Sequence, residues 1–278
     1  FCVAQFEMKV DQNGDGLGDS NTDCKSWAET WQNNKNASCS YTVSPRTIVS
    51  SAEGYPLTDI NQTDSQLACE SIGGHLITNN EWMTLARNIE RVPINWSSGV
   101  VGQGSLKRGN TGDIVLGVAY DGDDPENGTG RNELAKLTLS NGSEVWDLSG
   151  NVYEWVNKTK SVFYLDCDKL NDSDFGYCDE WEGGFEYSGF FENYSDLYNF
   201  VDFTKVGYKD LFLLNSDYNK DNGLGYFGDW SELGYIGGFL RGGPWYLDTT
   251  AGLLALDASP TPSATHDGIG FRCVVVPE

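Results

Sequence analysis

The stretch WDLSGNVYEW, Trp146 to Trp155, holds two carboxylates, Asp147 and Glu154, on either side of a small-residue turn framed by tryptophans. Such a pair can do acid/base work, as in glycoside hydrolysis, or grip a hard cation together with the carbonyls of the turn. No spacing singles out a catalytic pair in a chain this acidic. The histidines, His75 and His266, stand alone in sequence and read as surface or capping residues. The cysteines Cys2, Cys24, Cys39, Cys69, Cys167, Cys178 and Cys273 show neither a CxxC spacing nor the Cys/His cluster that zinc needs. Disulfides are therefore expected.

The cation reading has a parallel in DQNGDGLGD, Asp11 to Asp19, where oxygen-bearing side chains recur at every second position around glycine. Asp11, Asn13, Asp15 and Asp19, with the Leu17 carbonyl, form a candidate calcium set of the EF-hand or thrombospondin-repeat kind. An EF-hand also needs a bidentate Glu at the twelfth position and flanking helices, whereas Thr22 stands there. A solvated Asp/Gly turn is the alternative for the same residues.

A length of 278 residues with 39% apolar content can fill a real core. The formal charge of -23 surrounds the molecule with a negative field that repels phosphate backbones and anionic lipid, so nucleic acid is not an expected partner. No apolar run reaches the roughly 18 residues of a membrane span, so direct membrane insertion of this chain is not expected either. The first residues lack the basic start of a signal peptide, and Phe1 is expected to follow a removed segment. Asn-X-Ser/Thr acceptors stand at Asn36, Asn61, Asn95, Asn127, Asn141, Asn157, Asn171 and Asn193. With the cysteines, they point to an extracellular or cell-surface glycoprotein with N-linked glycans, from an archaeon or a eukaryote.

The elements that must position these residues show in the patterning. Cys2, Ala4, Phe6, Met8 and Val10 alternate with Val3, Gln5, Glu7 and Lys9, the period of a half-buried strand. TDSQLACESIGG reads as a short helix, capped by Thr63 with Gln66 and stopped at Gly73. TNNEWMTLARNIE repeats the device with Thr78 and Glu81 and places Trp82, Leu85, Ala86 and Ile89 on one core-facing stripe. Residues 91 to 145 are rich in turns. Residues 161 to 238 are dense in Asp, Glu, Tyr, Phe and Gly without a clear period, and read as an insertion stapled by one disulfide. Within it, FEYSGFFENYSDLYNF, Phe185 to Phe200, is a candidate contact surface or an inward-tucked flap. IGFRCVVV, Ile269 to Val276, is an apolar last strand. No internal repeat appears, so one domain over 1–278, carrying the 11–19 loop and the 161–238 insertion, is expected.

GGHLITNNEW, WDLSGNVYEW, LRGGPW and GIGFRCVV, in this order and spacing, resemble the formylglycine-generating-enzyme (sulfatase-modifying factor) domain, a branch of the C-type lectin fold. The resemblance implies an α+β domain whose first and last strands pair and whose two helices pack on a small twisted antiparallel sheet, with much irregular structure. It implies a disulfide from Cys69, on the first helix before a GG-x-L turn, to Cys273 on the last strand. Cys167 with Cys178 and Cys24 with Cys39 then leave Cys2 odd. It further implies that WDLSGNVYEW wraps a structural calcium, with Asp147 and Glu154 as side-chain ligands and Gly150 and Val152 as carbonyl ligands. The family's enzymes carry two copper-binding cysteines shortly after RGG; Leu247 and Gly252 stand in those places here and offer no ligand. The sulfoxide-forming relatives rely on a histidine-rich partner domain, which two histidines do not supply. A noncatalytic branch is expected.

WYLDTTAGLLALDASPTPSATHDGIGFRC is more narrowly similar to the C-terminal region of the variable proteins of diversity-generating retroelements and of related archaeal and phage surface proteins. That similarity makes Trp245, Ala251, Gly252, Ala255, Leu256, Pro262, Gly270, Phe271 and Arg272 a fixed frame. The exposed, ligand-binding set is then Tyr246, Leu247, Asp248, Thr249, Leu253, Asp257, Ser259, Thr261, Ser263, Thr265, His266 and Asp267. The function expected is display of these loops to a protein or glycan ligand on another surface, in binding or adhesion. The alternative is a structural subunit of an extracellular filament or surface layer assembled from copies of itself. A sulfatase-modifying-factor-like enzyme is the remote one.

Overall fold

Local capping chemistry starts both helices. In α1 (Gln62–Ser71), Asn61 accepts a hydrogen bond from the Asp64 backbone N–H, and Gly73 follows the helix at a φ of 78°. The cap thus sits two residues before Thr63, the residue that the sequence pattern favours, because Asn61 and Asp64 hydrogen-bond to one another. In α2 (Asn79–Ile89), Thr78 and Glu81 form the reciprocal capping box that the pattern predicts. Trp82, Leu85, Ala86 and Ile89 are buried along one stripe, and the Trp82 indole N–H donates to the Leu253 carbonyl at 2.9 Å. Thr78→Ala is expected to cost about 1 kcal/mol, read from urea unfolding.

The Glu81 carboxyl is pushed up by burial, but hydrogen bonds from the Thr78 N–H and hydroxyl and from His75 outweigh that and hold it below the ordinary glutamate value. A depressed folded value means that this stability is present above the unfolded value and is lost as pH falls through the folded one. The difference in unfolding temperature between wild type and Glu81→Gln is therefore expected to shrink on acidification through that window. A constant difference would contradict it.

A computed structural model of the protein describes residues 1–11, 14–18, 47–109, 111, 133–160, 177–181, 184–188, 190–191, 225, 227–228 and 236–276. Its strands run β1 (Cys2–Val3), β2 (Met8–Asp11), β3 (Thr47–Ser50), β4 (His75–Leu76), β5 (Lys136–Thr138), β6 (Glu144–Trp146), β7 (Tyr153–Lys160), β8 (Tyr177–Trp181) and β9 (Gly184–Ser188). They continue with β10 (Phe190–Phe191), β11 (Phe227–Gly228), β12 (Gly237–Gly242), β13 (Gly252–Asp257), β14 (Ile269–Phe271) and β15 (Cys273–Val275). α1 precedes β4 and α2 follows it.

The architecture is α+β. The largest sheet has the order β10-β11-β13-β12-β7-β14, antiparallel through β13, β12 and β7 and parallel at the β11/β13 and β14/β7 pairs. All six residues of β12 are buried, which fits a strand covered on both faces. α2 packs on this sheet, and Trp155 is sealed beneath α1, donating its indole N–H to the Ile60 carbonyl. β1 and β15, near the two ends of the chain, pair antiparallel beside β4, as the resemblance implies. Cys69 on α1 is bonded to Cys273 on β15.

Two expectations change. The alternating pattern of residues 2–10 does not make one half-buried strand: it breaks into β1 and β2, and Phe6 to Asp11 are all buried. The polar members Glu7 and Lys9 have no exposed surface because β3 and the clasp region cover that side too. The 161–238 insertion ends earlier than its composition suggests, since Gly237 and Gly238 open β12 and pair with Lys160 and Thr159 of β7.

Candidate functional site

Trp146 to Glu154 form a tight clasp in which Asp147, Gly150 and Asn151 have φ of 61°, 103° and 65°. Glycine is required at Gly150, where a Cβ would lie 1.8 Å from the Gly109 carbonyl oxygen. The turn is bolted to its surroundings through backbone groups. Trp146 N–H donates to Gln5, Asp147 N–H to Ala135 and Gly150 N–H to Gly242, while the Ser149 carbonyl accepts from Gly109.

Arg272 fills the space behind it. This fully buried guanidinium donates Nη2 to Glu154 Oε1 at 2.7 Å and Nε to Glu154 Oε2 at 3.0 Å. Its remaining donors reach the Ala4 and Trp146 carbonyls, each at 2.8 Å. Burial works against its charge, but the Glu154 carboxylate, with Glu7 and Asp147 nearby, holds it above the usual guanidinium range. Glu154, implied as a calcium ligand, thus has another partner: both its oxygens are turned to Arg272.

Whether a calcium fits the clasp is decided by its other oxygens. Ser149 Oγ and Asn151 Oδ1 are buried and make no hydrogen bond there, a costly arrangement that water or a cation relieves. Among the described residues, no three His, Cys, Asp or Glu side chains form a metal cluster. A hard cation here would draw on these neutral oxygens and the turn carbonyls as well as on carboxylate. In the 11–18 loop, Asp11 accepts from the Gly14 and Gly16 N–H groups and Asp15 from the Leu17 N–H. Asn13 and Asp19 lie outside the described residues.

The clasp also fixes both ends of the segment after β12. The Trp245 N–H donates to the Asn151 carbonyl at 2.6 Å, and the Tyr153 N–H to the Gly268 carbonyl at 2.8 Å. Between these points the Pro260, Pro262 and His266 carbonyls accept from Gly238, Gln62 and Asp59. The backbone is therefore held independently of most side chains. Frame residues Ala251, Gly252, Ala255, Leu256, Gly270, Phe271 and Arg272 are buried, and Trp245 and Pro262 are half-buried. Tyr246, Ser263, Thr265, His266 and Asp267 are exposed, and Leu247, Asp257, Ser259 and Thr261 are half-buried. Asp248 and Thr249 lie in a 3-10 turn, Trp245–Thr250, whose backbone is described at those positions.

Leu253 does not belong with the exposed set. It is 1% exposed on β13 and packs in the core beside Trp82, because the strand's alternate faces are both covered. Tyr246 meets His266 edge-on, with ring centroids 6.2 Å apart. Burial raises the Tyr246 phenol, and the Asp257 and Asp267 carboxylates raise it further.

Asn95 is corrected too. It is fully buried, its Nδ2 donates to the Ile89 and Thr138 carbonyls, and its Oδ1 accepts from Thr138 N–H, so the folded domain leaves no exit for a glycan. Asn141 and Asn157 are exposed and Asn61 is half-buried. Asn36, Asn127, Asn171, Asn193, Cys24, Cys39 and Cys167 lie outside the described residues, and only the backbone of Cys178 is described. Glu7, Ser149 and Asn151, together with a buried Arg241 bonded to Asn79, fall within recognised sequence patterns, but no pattern gives them a role at the site. The alternation of residues 2–10 even assigned Glu7 to solvent.

An α+β frame thus carries a strained clasp and an irregular segment anchored to it through backbone hydrogen bonds. The chain belongs to the family of the sulfatase-modifying factor enzyme 1-like domain, which it matches over residues 2–276. No curated protein matches it.

Proposed function

We propose that this is a noncatalytic, calcium-stabilised, N-glycosylated module of the cell exterior that displays its C-terminal loops to a protein or glycan ligand. One observation carries the reading: the 245–268 segment is held by backbone hydrogen bonds while Tyr246, Ser263, Thr265, His266 and Asp267 face solvent. Side chains there can change without altering the frame, which is what a recognition surface needs. Leu247 and Gly252 offer no thiolate where the family's enzymes bind copper, which argues against oxidase chemistry.

The test is binding of the secreted protein to glycan and cell-surface protein arrays, beside a variant with Tyr246→Ala, His266→Ala and Asp267→Ala. The expected result is lost binding with each single change altering stability by no more than about 0.5 kcal/mol. Equal binding by the variant would sink the proposal.

A second reading, a filament or surface-layer subunit contacting copies of itself, draws on exposed Cys2 in β1, beside exposed Phe1, Val275 and Val276. Electron microscopy of the native protein with and without chelator separates the two: regular polymers support the subunit, dispersed particles the display module. Turnover of a sulfatase-type cysteine peptide would establish the enzymatic alternative.

A further inference from the structure

The displayed segment is one-sided in charge. From Gly242 to Phe271 the sequence places three aspartates, Asp248, Asp257 and Asp267, and neither lysine nor arginine. Its rings gather at one place. Tyr246 stands edge-on to Trp245, with centroids 5.0 Å apart, and edge-on to His266 at 6.2 Å. Gly268 permits this approach: a Cβ there would lie 3.2 Å from Tyr246 Cε1 and 3.3 Å from His266 Nδ1, crowding both rings. His266 does not neutralise Asp267 beside it. Its Nδ1 lies 3.0 Å from Asp267 Oδ1 but accepts the Gly268 N–H, also at 3.0 Å, and a nitrogen that accepts a hydrogen bond has no proton to give. Tyr246 is 44% exposed, and the His266 and Asp267 side chains are 54% and 68% exposed. A neutral, electron-rich ring and a carboxylate thus reach solvent together, since the Tyr246 phenol is raised by burial and by Asp257 and Asp267.

We infer that the Tyr246, His266 and Asp267 patch receives an arginine side chain of a protein ligand, its guanidinium lying against the Tyr246 ring and pairing with Asp267. A guanidinium answers both features: it is flat and weakly hydrated, so it stacks on a ring, and it carries its donors in a fork that meets a carboxylate. A sugar also stacks on a ring, but a neutral one has no charge to match the aspartates and an acidic one is repelled by them. This rests on the reading of residues 245–268 as a recognition surface, and narrows its ligand to a basic epitope on a protein. The formal charge of -23 draws such a ligand in from a distance, while the ring decides which cation is retained.

The test is surface plasmon resonance of the full secreted chain, at physiological salt, over immobilised Gly-Ser-Arg repeat peptides and their lysine and citrulline counterparts. Wild type is expected to hold the arginine peptide about threefold more tightly than the lysine peptide and to ignore citrulline. Tyr246→Ala leaves the net charge unchanged, yet is expected to weaken arginine binding about two- to fivefold and to erase its advantage over lysine. Tyr246→Phe keeps the ring and is expected to bind as wild type, which tests the site even if Tyr246→Ala fails to fold. Asp267→Asn is expected to weaken both basic peptides about two- to fivefold. Glu70→Gln removes the same charge from an exposed position on α1 and is expected to leave both unchanged. Equal binding of arginine and lysine peptides, full binding by Tyr246→Ala, or equal losses in Asp267→Asn and Glu70→Gln would reveal only the diffuse field of an acidic protein and overturn the inference. If the triple variant instead loses a neutral glycan on the arrays, the arginine assignment falls and the display reading stands. If it loses no array ligand, both fall.

Discussion

Arg272→Met is expected to destabilise the domain by about 3–5 kcal/mol, the usual cost of removing one partner of a buried ion pair. The substitution keeps bulk and apolar area, so the loss reports electrostatics rather than a cavity. It strands Glu154, completely buried, and removes the donors to the Ala4 and Trp146 carbonyls. Those contacts join the chain's N-terminal segment, the clasp and the strand after β14, so the loss should appear as one cooperative transition at lower urea with little change in slope. The double variant Arg272→Met, Glu154→Leu should recover part of the loss, because it removes the stranded charge; the cycle gives the coupling directly. Arg272→Lys is not expected to rescue, since an ammonium lacks the planar fork that meets both carboxylate oxygens. A loss below about 1 kcal/mol for Arg272→Met would contradict a buried ion pair.

The second large effect belongs to the Cys69–Cys273 bond. It joins residues separated by 204 positions, and both cysteines are buried in the core between α1 and β15. Closing so long a loop removes many conformations from the unfolded chain, and losing it is expected to cost about 2–5 kcal/mol. Urea unfolding of the Cys69→Ala, Cys273→Ala variant checks this. The slope should also rise, because the unfolded chain expands without the cross-link. A variant as stable as wild type would show that the bond is dispensable. A large loss would make the domain dependent on oxidising surroundings, in keeping with the proposed location outside the cell.

What the sequence revealed depended on how local the determinant was. Thr78 and Glu81 are three residues apart and bond each other, so the α2 start was legible without the fold. The α1 start was misplaced because Asn61 with Asp64 is an equally good local signal lying just ahead of Thr63. Alternation in residues 2–10 misled because it reports polarity, and Glu7 and Lys9 are polar groups sealed inside the protein. The Asn95 sequon satisfies a three-residue rule, but its side chain is consumed by partners as far away as Thr138. Similarity of position places Leu253 at the surface, whereas β13 is covered on both sides. The partners of Arg272, and the Asn79 side chain that holds Arg241, lie over a hundred residues away, and no periodicity connects them. The Cys69–Cys273 pair came from the resemblance, since spacing alone leaves the pairing open.

Lys160 at the end of β7 stands directly across from Gly237 at the start of β12. The chain therefore leaves the frame and comes back at adjoining points, as in an ordinary hairpin whose turn has been replaced by residues 161–236. Lengthening a loop between fixed ends adds little: each doubling raises the closure cost by only about 0.6 kcal/mol. The excursion is not wholly separable, however: β10 and β11 lie within it and complete the edge of the sheet beside β13, so an exchange of the inserted residues that spares the fold has to keep those two strands.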